Sequence, residues 1–132
     1  MTKNVKAPER VLVVEDDGSI AELLKIVLER QGFVVRIAPN CETATKALED
    51  GGADLVLLDL MLPDGHGLDL LRWLRDDLGS ALPVVVLTAF RQEEKALRAF
   101  ELGAADFISK PFRPRELIAR IQRVLSALPN AS

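Results

Sequence analysis

Val84-Val85-Val86-Leu87, residues 84–87, is the apolar run that says most about the fold of this chain. A strand exposed on one face alternates apolar and polar residues, whereas this run leaves no polar position for solvent. It therefore suits a parallel strand in a sheet that helices cover on both faces. Similar short runs predict four further strands, at residues 11–14, 34–38, 55–58 and 106–108.

Amphipathic segments separate these runs, which is typical of helices that cross from one parallel strand to the next. Glycines follow three of the segments as stop signals, and Pro114 opens the last one. Five pairs of a strand and a helix predict an α/β fold, a three-layer (βα)5 sandwich around a five-stranded parallel sheet.

Length and composition indicate one folded domain with no extreme surface charge. The chain has 132 residues, of which 28% are charged, and a net charge of −3. This balance supplies no broad basic surface, so we expect no nucleic-acid binding by this domain alone. No apolar run reaches the length that a bilayer requires, so we expect no membrane insertion. We predict a polar tail at residues 1–9, the domain at 10–128, and a tail or the start of a linker at 129–132.

The N-terminal segment and the cysteine content favour a cytoplasmic location. Residues 1–10 are polar and lack the apolar stretch of a signal peptide. The single cysteine, Cys41, has no partner for an internal disulfide, and no histidine or basic cluster lies near it in sequence to activate the thiol.

Polar side chains follow the predicted strands directly, at the edge where an open parallel sheet binds ligands. The first strand runs into three acids, the third into one acid, the fourth into a hydroxyl and the fifth into an ammonium group. These residues are Glu15, Asp16, Asp17, Asp59, Thr88 and Lys110.

This combination of groups points to phosphoryl chemistry. Carboxylates held together repel one another, and Mg²⁺ relieves the repulsion most economically when a phosphate supplies further ligands. One carboxylate can then attack phosphorus, while Lys110 offsets charge and Thr88 donates a hydrogen bond. Asp59 is the candidate nucleophile, since it stands alone after its strand and a loop of turn residues follows it. The backbone carbonyl of Met61 is a candidate metal ligand.

Four ordered stretches together resemble the response-regulator receiver family of two-component signalling. They are VVEDD at 13–17, LLDLMLP at 57–63, LTA at 87–89 and SKPF at 109–112. The resemblance extends over residues 10–128 and implies a flavodoxin-like sheet with the strand order 2-1-3-4-5. It also implies a signalling domain rather than an enzyme with a turnover reaction.

The resemblance gives each site residue a role. Asp16 matches a direct Mg²⁺ ligand, and Glu15 matches its partner that acts through water. Asp59 matches the phosphoacceptor, which a sensor histidine kinase or a phosphotransfer protein would serve. Thr88 and Lys110 match contacts to the phosphoryl group. The role of Asp17 stays open.

Further matches concern the output of the domain. Phe107 matches the aromatic switch residue, and Lys110-Pro111 matches a bond that is cis in the family. His66 departs from the family, because many relatives have an acid at this position. Met61 and Phe90 match positions that flank the phosphoryl group, and both are apolar here, so we expect slow self-dephosphorylation.

The resemblance also suggests a homodimer through the fourth helix, fifth strand and fifth helix. Asp106, Glu116 and Arg120 match charged positions that pair between protomers in receivers of winged-helix transcription factors. Ala96 and Ala105 replace two other positions of that set, so the homodimer is a hypothesis.

Some of these residues also have plainer interpretations, and three other kinds of protein share parts of the pattern. The three acids after the first strand are equally suited to capping a helix, and Phe107 to ordinary core packing. A pseudo-receiver that binds partners without phosphorylation is the main alternative, but such a protein would lack one of the reactive residues. A haloacid-dehalogenase-type phosphatase has its nucleophile on the first strand, and a flavodoxin has a hydroxyl-rich loop there, so both fit less well.

Overall fold

The computed structural model describes residues 8–89 and 93–127. Five strands form one parallel sheet: β1 Arg10–Val14, β2 Val34–Ala38, β3 Leu55–Asp59, β4 Val84–Ala89 and β5 Asp106–Lys110. Their order is β2-β1-β3-β4-β5, and every neighbouring pair in this sheet is parallel. The predicted fold class and strand order are thereby confirmed.

The helices connect successive strands of this sheet. They are α1 Gly18–Glu29, α2 Cys41–Glu49, α3 Gly67–Arg72, α4 Glu93–Glu101 and α5 Pro114–Ser126. The third helix continues as a π-helical turn, Trp73–Asp77. Met61–Leu62 and Gly65–His66 form a short antiparallel hairpin between β3 and α3. Residue 128, the predicted end of the domain, lies outside the described residues.

The three central strands bury both faces, as their sequences predict. Even-numbered residues of β1, β3 and β4 pack against α2, α3 and α4, and odd-numbered residues pack against α1 and α5. Side chains alternate between the faces of a strand, so a continuous apolar run supplies two separate cores. The first core contains Leu12, Val14, Val56, Leu58, Val84 and Val86, and the second contains Val11, Val13, Leu55, Leu57, Val85 and Leu87.

Three strands extend further toward their carboxyl ends than the apolar pattern predicts. β3 includes Asp59, which pairs with Leu87, and β4 includes Thr88, which pairs with Ser109. The backbone ladder does not depend on side-chain polarity, so it continues past the last apolar residue. Asp59, Thr88 and Lys110 are therefore residues of the strands themselves, whereas the three acids after β1 follow their strand as predicted.

The helix ends follow the local sequence signals, with one exception. Gly32, Gly79 and Gly103 all have positive φ after α1, the π-helical turn and α4. Pro114 stands in the first turn of α5. The exception is Leu78, which fits the apolar spacing of the third helix but is exposed, because the helix changes to a π-helical turn and ends before it.

The thiol of Cys41 is not activated. Burial, together with the negative charge of Asp64, raises its pKa to about 11. Because the thiolate is the reactive species, little of it is present at neutral pH. None of the helices within the described residues is long and apolar enough to cross a bilayer.

Gly67 stands where the backbone allows no side chain. A Cβ atom at this position would lie 2.6 Å from the carbonyl oxygen of Asp59 and 2.8 Å from Leu60 Cα. Gly18, in contrast, has no heavy atom within 4 Å of such a Cβ. The close approach brings the start of α3 against the end of β3.

We predict that Gly67→Ala destabilises the domain by about 1–3 kcal/mol, because the new methyl group overlaps backbone atoms that have to move. Gly18→Ala is the control and should leave the free energy of unfolding unchanged or slightly increased, since alanine favours the helix. Urea denaturation of both variants measures this. Equal stability of Gly67→Ala and the wild type would contradict the prediction.

Candidate functional site

The register of the sheet brings two acids side by side. Val14 pairs with Leu58, so the next residues, Glu15 and Asp59, stand together at the carboxyl ends of β1 and β3. Both side chains are buried, and that of Glu15 is only 1% exposed. Two carboxylates buried next to each other repel one another unless a cation lies between them.

The last residue of β5 supplies such a cation. The Lys110 ammonium lies 2.7 Å from Glu15 Oε1 and 3.1 Å from Asp59 Oδ2. Burial works to lower the pKa of Lys110, but the hydrogen bonds and charges of Glu15 and Asp59 outweigh it and the pKa is raised. The lysine is therefore positively charged at neutral pH. The Lys110-Pro111 peptide bond is cis.

The two carboxylate oxygens of Glu15 differ in their hydrogen bonding. Its Oε2 accepts a hydrogen bond from the backbone amide of Asp17 at 3.1 Å. Its Oε1 forms the ion pair with Lys110 but has no donor in good hydrogen-bonding geometry among the described residues. Burial, with a smaller contribution from the charge of Asp59, raises the pKa of Glu15, although Lys110 opposes the shift. Oε1 is thus a buried oxygen whose charged partner among the described residues is Lys110.

Three carboxylates together meet the requirements of a divalent cation. One oxygen each from Glu15, Asp16 and Asp59 lies within 4.8 Å of the others. Asp16 is exposed, so the cluster opens to solvent on one side. Hard oxygen ligands with an open side suit Mg²⁺, which keeps several waters. Both the three carboxylates and the buried Glu15 oxygen that lacks a hydrogen-bond donor fit this ion.

The loop after β3 turns back toward Asp59. The backbone amide of Met61 donates a hydrogen bond to Asp59 Oδ1 at 3.0 Å. Met61 pairs with His66 and Leu62 with Gly65, so the predicted tight loop is a two-residue hairpin. The side chain of Met61 is 46% exposed.

Asp17 has the capping role that we considered for all three acids. Its Oδ1 accepts hydrogen bonds from the amides of Ser19 at 2.9 Å and Ile20 at 3.1 Å, at the start of α1. A side chain with this arrangement is a typical N-cap. The capping interpretation therefore applies to Asp17, while Glu15 turns toward Lys110.

The structure describes Phe107 in full, the backbone of Thr88, and nothing of Phe90. Thr88 lies in β4, one residue beyond the Leu87 that pairs with Asp59, but its side chain lies outside the described features. Phe90 lies outside the described residues. Phe107 is partly buried against the first core, and its ring meets that of Phe100 edge to face, with centroids 5.5 Å apart.

The three predicted interface residues pair with one another inside the chain. Arg120 donates to both carboxylate oxygens of Asp106, at 3.0 and 3.1 Å, and lies 3.2 Å from Glu116. Asp106 is buried, and Arg123 approaches it at 3.5 Å. The hydrogen bond that Arg120 donates to Asp106 raises the pKa of Arg120, with a smaller contribution from the charge of Asp106, while burial opposes the shift.

Sequence reasoning missed one contact beside the site. Asp64, interpreted only as a turn residue, accepts hydrogen bonds from the amides of Cys41 and Glu42 at the start of α2. The partners are more than twenty residues away, so no local pattern could have indicated them.

Comparison with known proteins gives one family. The model of the response regulator receiver domain matches residues 11–122. The phosphate regulon transcriptional regulatory protein PhoB of Escherichia coli is 44% identical over 117 residues, which are 88% of this chain and 51% of PhoB. The DNA-binding response regulator MtrA of Mycobacterium tuberculosis is 46% identical over 114 residues, 86% of this chain and 49% of MtrA. The chain thus spans about half the length of these curated relatives.

Solved structures with the same fold lead to the same family. The non-phosphorylated HemR receiver domain from Leptospira biflexa has a TM-score of 0.84 at 40% identity, over 94% of this chain and 99% of that one. A putative response regulator from Chloroflexus aurantiacus has a TM-score of 0.85 at 35% identity, over 90% and 98%. With its family model, its relatives and its fold in agreement, the chain belongs to the response regulator receiver domains.

Proposed function

We propose that this receiver domain accepts a phosphoryl group on Asp59 from a sensor histidine kinase or a phosphotransfer protein. The observation that carries the proposal is the Lys110 ammonium between Glu15 and Asp59, within an acidic cluster that fits a divalent cation. The domain serves as a phosphoacceptor and signalling module. It acts in the cytoplasm, with the donor of the phosphoryl group as its partner.

Each residue of the cluster has a distinct part in the proposed transfer. An Asp59 oxygen attacks the phosphorus of a phosphohistidine and the P–N bond breaks, leaving its electron pair on the imidazole nitrogen. That nitrogen takes up a proton from solvent while an acyl phosphate forms on Asp59. Glu15, Asp16, Asp59 and the Met61 carbonyl would hold Mg²⁺, which when bound offsets negative charge on the transferring oxygens. Lys110 is already placed to move from the Asp59 carboxylate to the new phosphoryl oxygens. Thr88 would donate a hydrogen bond to them.

The main alternative is a pseudo-receiver that works without phosphorylation. Such a protein needs neither the ammonium nor the acidic cluster, and burying unlike charges for no purpose costs free energy. The described geometry of Glu15, Asp59 and Lys110 favours the phosphorylated receiver.

We predict that acetyl phosphate with Mg²⁺ adds one phosphoryl group to the chain, seen as the corresponding mass gain by intact mass spectrometry. Asp59→Asn should gain none, because an amide does not form the acyl phosphate. Asp77→Asn, which changes an exposed acid of the π-helical turn, is the matched control and should gain mass like the wild type. Chelating Mg²⁺ should abolish the gain in the wild type and in Asp77→Asn. Undiminished labelling of Asp59→Asn would contradict the proposal.

We propose that the phosphoryl group is long-lived. Met61 and Phe90 offer no group that can orient an attacking water. After removal of the donor, the wild-type mass gain should persist, whereas Phe90→Glu should lose it faster. Rapid loss from the wild type that Phe90→Glu does not change would argue against this.

We further propose that phosphorylation is relayed through Phe107 to the surface of α4, β5 and α5. A new phosphoryl group draws the Thr88 hydroxyl toward it, and Phe107 moves into the space behind. Phe107 has no hydroxyl to retain it in water, and Phe100 of α4 already contacts its ring. A change at Phe107 therefore acts directly on α4.

The same surface is our candidate for a homodimer. Leu97 on α4 is 65% exposed, and Phe100 is also exposed beside it. Asp106, Glu116 and Arg120 lie on the neighbouring elements, and of these the partly exposed Glu116 and Arg120 present charges to a second copy, while the buried Asp106 holds Arg120 in place. Apolar residues next to such a network suit a symmetric interface.

We predict that beryllofluoride with Mg²⁺ converts the chain to a dimer in analytical sedimentation, with Phe107 less exposed in a structure of that dimer than here. Leu97→Asp should remain monomeric, because it places a charge in the interface while the exposed position spares the fold. Asp77→Asn, away from this surface, should dimerise. A wild type that stays monomeric at high concentration with beryllofluoride would remove the dimer proposal.

A further inference from the structure

Asp64 links the loop after β3 to a helix far away in sequence. Its Oδ1 accepts a hydrogen bond from the Cys41 amide at 2.8 Å, and its Oδ2 accepts one from the Glu42 amide at 3.1 Å. Both amides belong to the first turn of α2. The two hydrogen bonds, that of Cys41 first, lower the pKa of Asp64, so the group is a carboxylate at neutral pH.

Asp64 supplies two acceptors to that helix terminus. The first four amides, from the N-cap residue onward, have no partner within a helix. At α2, the Thr43 amide donates to Asn40 Oδ1 at 2.8 Å, and the amides of Cys41 and Glu42 are those that donate to Asp64. The Ala44 amide makes the first bond within the helix, to the Asn40 carbonyl at 3.1 Å. The start of α2 is thus capped jointly by its own Asn40 and by the loop.

The same loop carries backbone groups of the phosphorylation site. Asp64 lies in the turn of the hairpin in which Met61 pairs with His66. At the open end of this hairpin, the Met61 amide donates to Asp59 Oδ1, and the Gly67 amide donates to the Leu60 carbonyl at 2.8 Å. The hairpin is therefore fixed at its tip by α2 and at its base by the end of β3.

We propose that Asp64 is a positioning residue for the divalent cation. By holding the hairpin tip on α2, it fixes the Met61 backbone, whose amide orients Asp59 and whose carbonyl is the proposed ligand. The inference rests on the proposed function, because it concerns the ion bound at that site. Asp64 itself does not belong to the carboxylate cluster of Glu15, Asp16 and Asp59.

The two caps of α2 provide a matched comparison. Asn40→Ala removes a cap from the same helix terminus but leaves the hairpin attached through Asp64. Asp64→Ala removes a cap and also releases the hairpin. Asp64→Asn removes the charge but keeps an amide oxygen that can accept one of the two hydrogen bonds. These variants separate helix stability, net charge and loop position.

Calorimetric titration of the full chain with Mg²⁺ alone tests the proposal. Asp64→Ala should bind Mg²⁺ roughly tenfold more weakly than the wild type, as is typical when a group that orients a metal ligand is lost. Asp64→Asn should fall between the two, and Asn40→Ala should bind like the wild type. Hydrogen exchange of the Met61 amide is the second readout. It should be faster in Asp64→Ala and unchanged in Asn40→Ala.

Three results would overturn the inference. The first is a Mg²⁺ affinity of Asp64→Ala equal to that of the wild type. The second is an equal loss of Mg²⁺ affinity in Asp64→Asn and Asp64→Ala, which would indicate an effect of charge alone. The third is an equal loss in Asn40→Ala and Asp64→Ala, which would indicate an effect of helix stability alone. A wild-type chain that binds no Mg²⁺ would instead overturn the proposed function.

Discussion

The ion pairs of Lys110 with Glu15 and Asp59 are the interaction on which the rest of this structure depends. Two carboxylates buried side by side are tolerated because one ammonium group lies within 3.1 Å of both. Removing one partner of such a buried cluster typically costs about 3–5 kcal/mol, since a charge is left without compensation. The two carboxylates therefore need a positive partner, which is Lys110 here and which a bound divalent cation would supplement.

The sheet supplies this arrangement through its register. β1, β3 and β5 contribute Glu15, Asp59 and Lys110 from their carboxyl ends, and two apolar cores hold the strands from opposite faces. An acidic site at this edge is therefore carried by strands that pack against helices on both faces. The elements that the proposed signal has to move, α4 and the ring of Phe107, lie beside it at the end of the sheet.

Much of this could be predicted from the sequence, because apolar runs define strands and the residue after each run falls at one edge. Glu15, Asp59 and Lys110 were found in this way. Contacts that depend on distant partners could not be predicted. Arg75 donates to the carbonyls of Ser80, Leu82 and Gly103, and Asp64 caps α2. The π-helical turn that exposes Leu78 was also missed, since apolar spacing does not distinguish it from an α-helix.

The most direct measurement of the central claim is a crystal structure of the chain with Mg²⁺ and beryllofluoride. Our account predicts beryllofluoride on Asp59, an ion about 2.0–2.1 Å from carboxylate oxygens of Asp16 and Asp59, and the Lys110 ammonium in contact with the fluorides. An unmodified Asp59, or an ion bound away from Glu15 and Asp16 with Lys110 still on its two carboxylates, would contradict it.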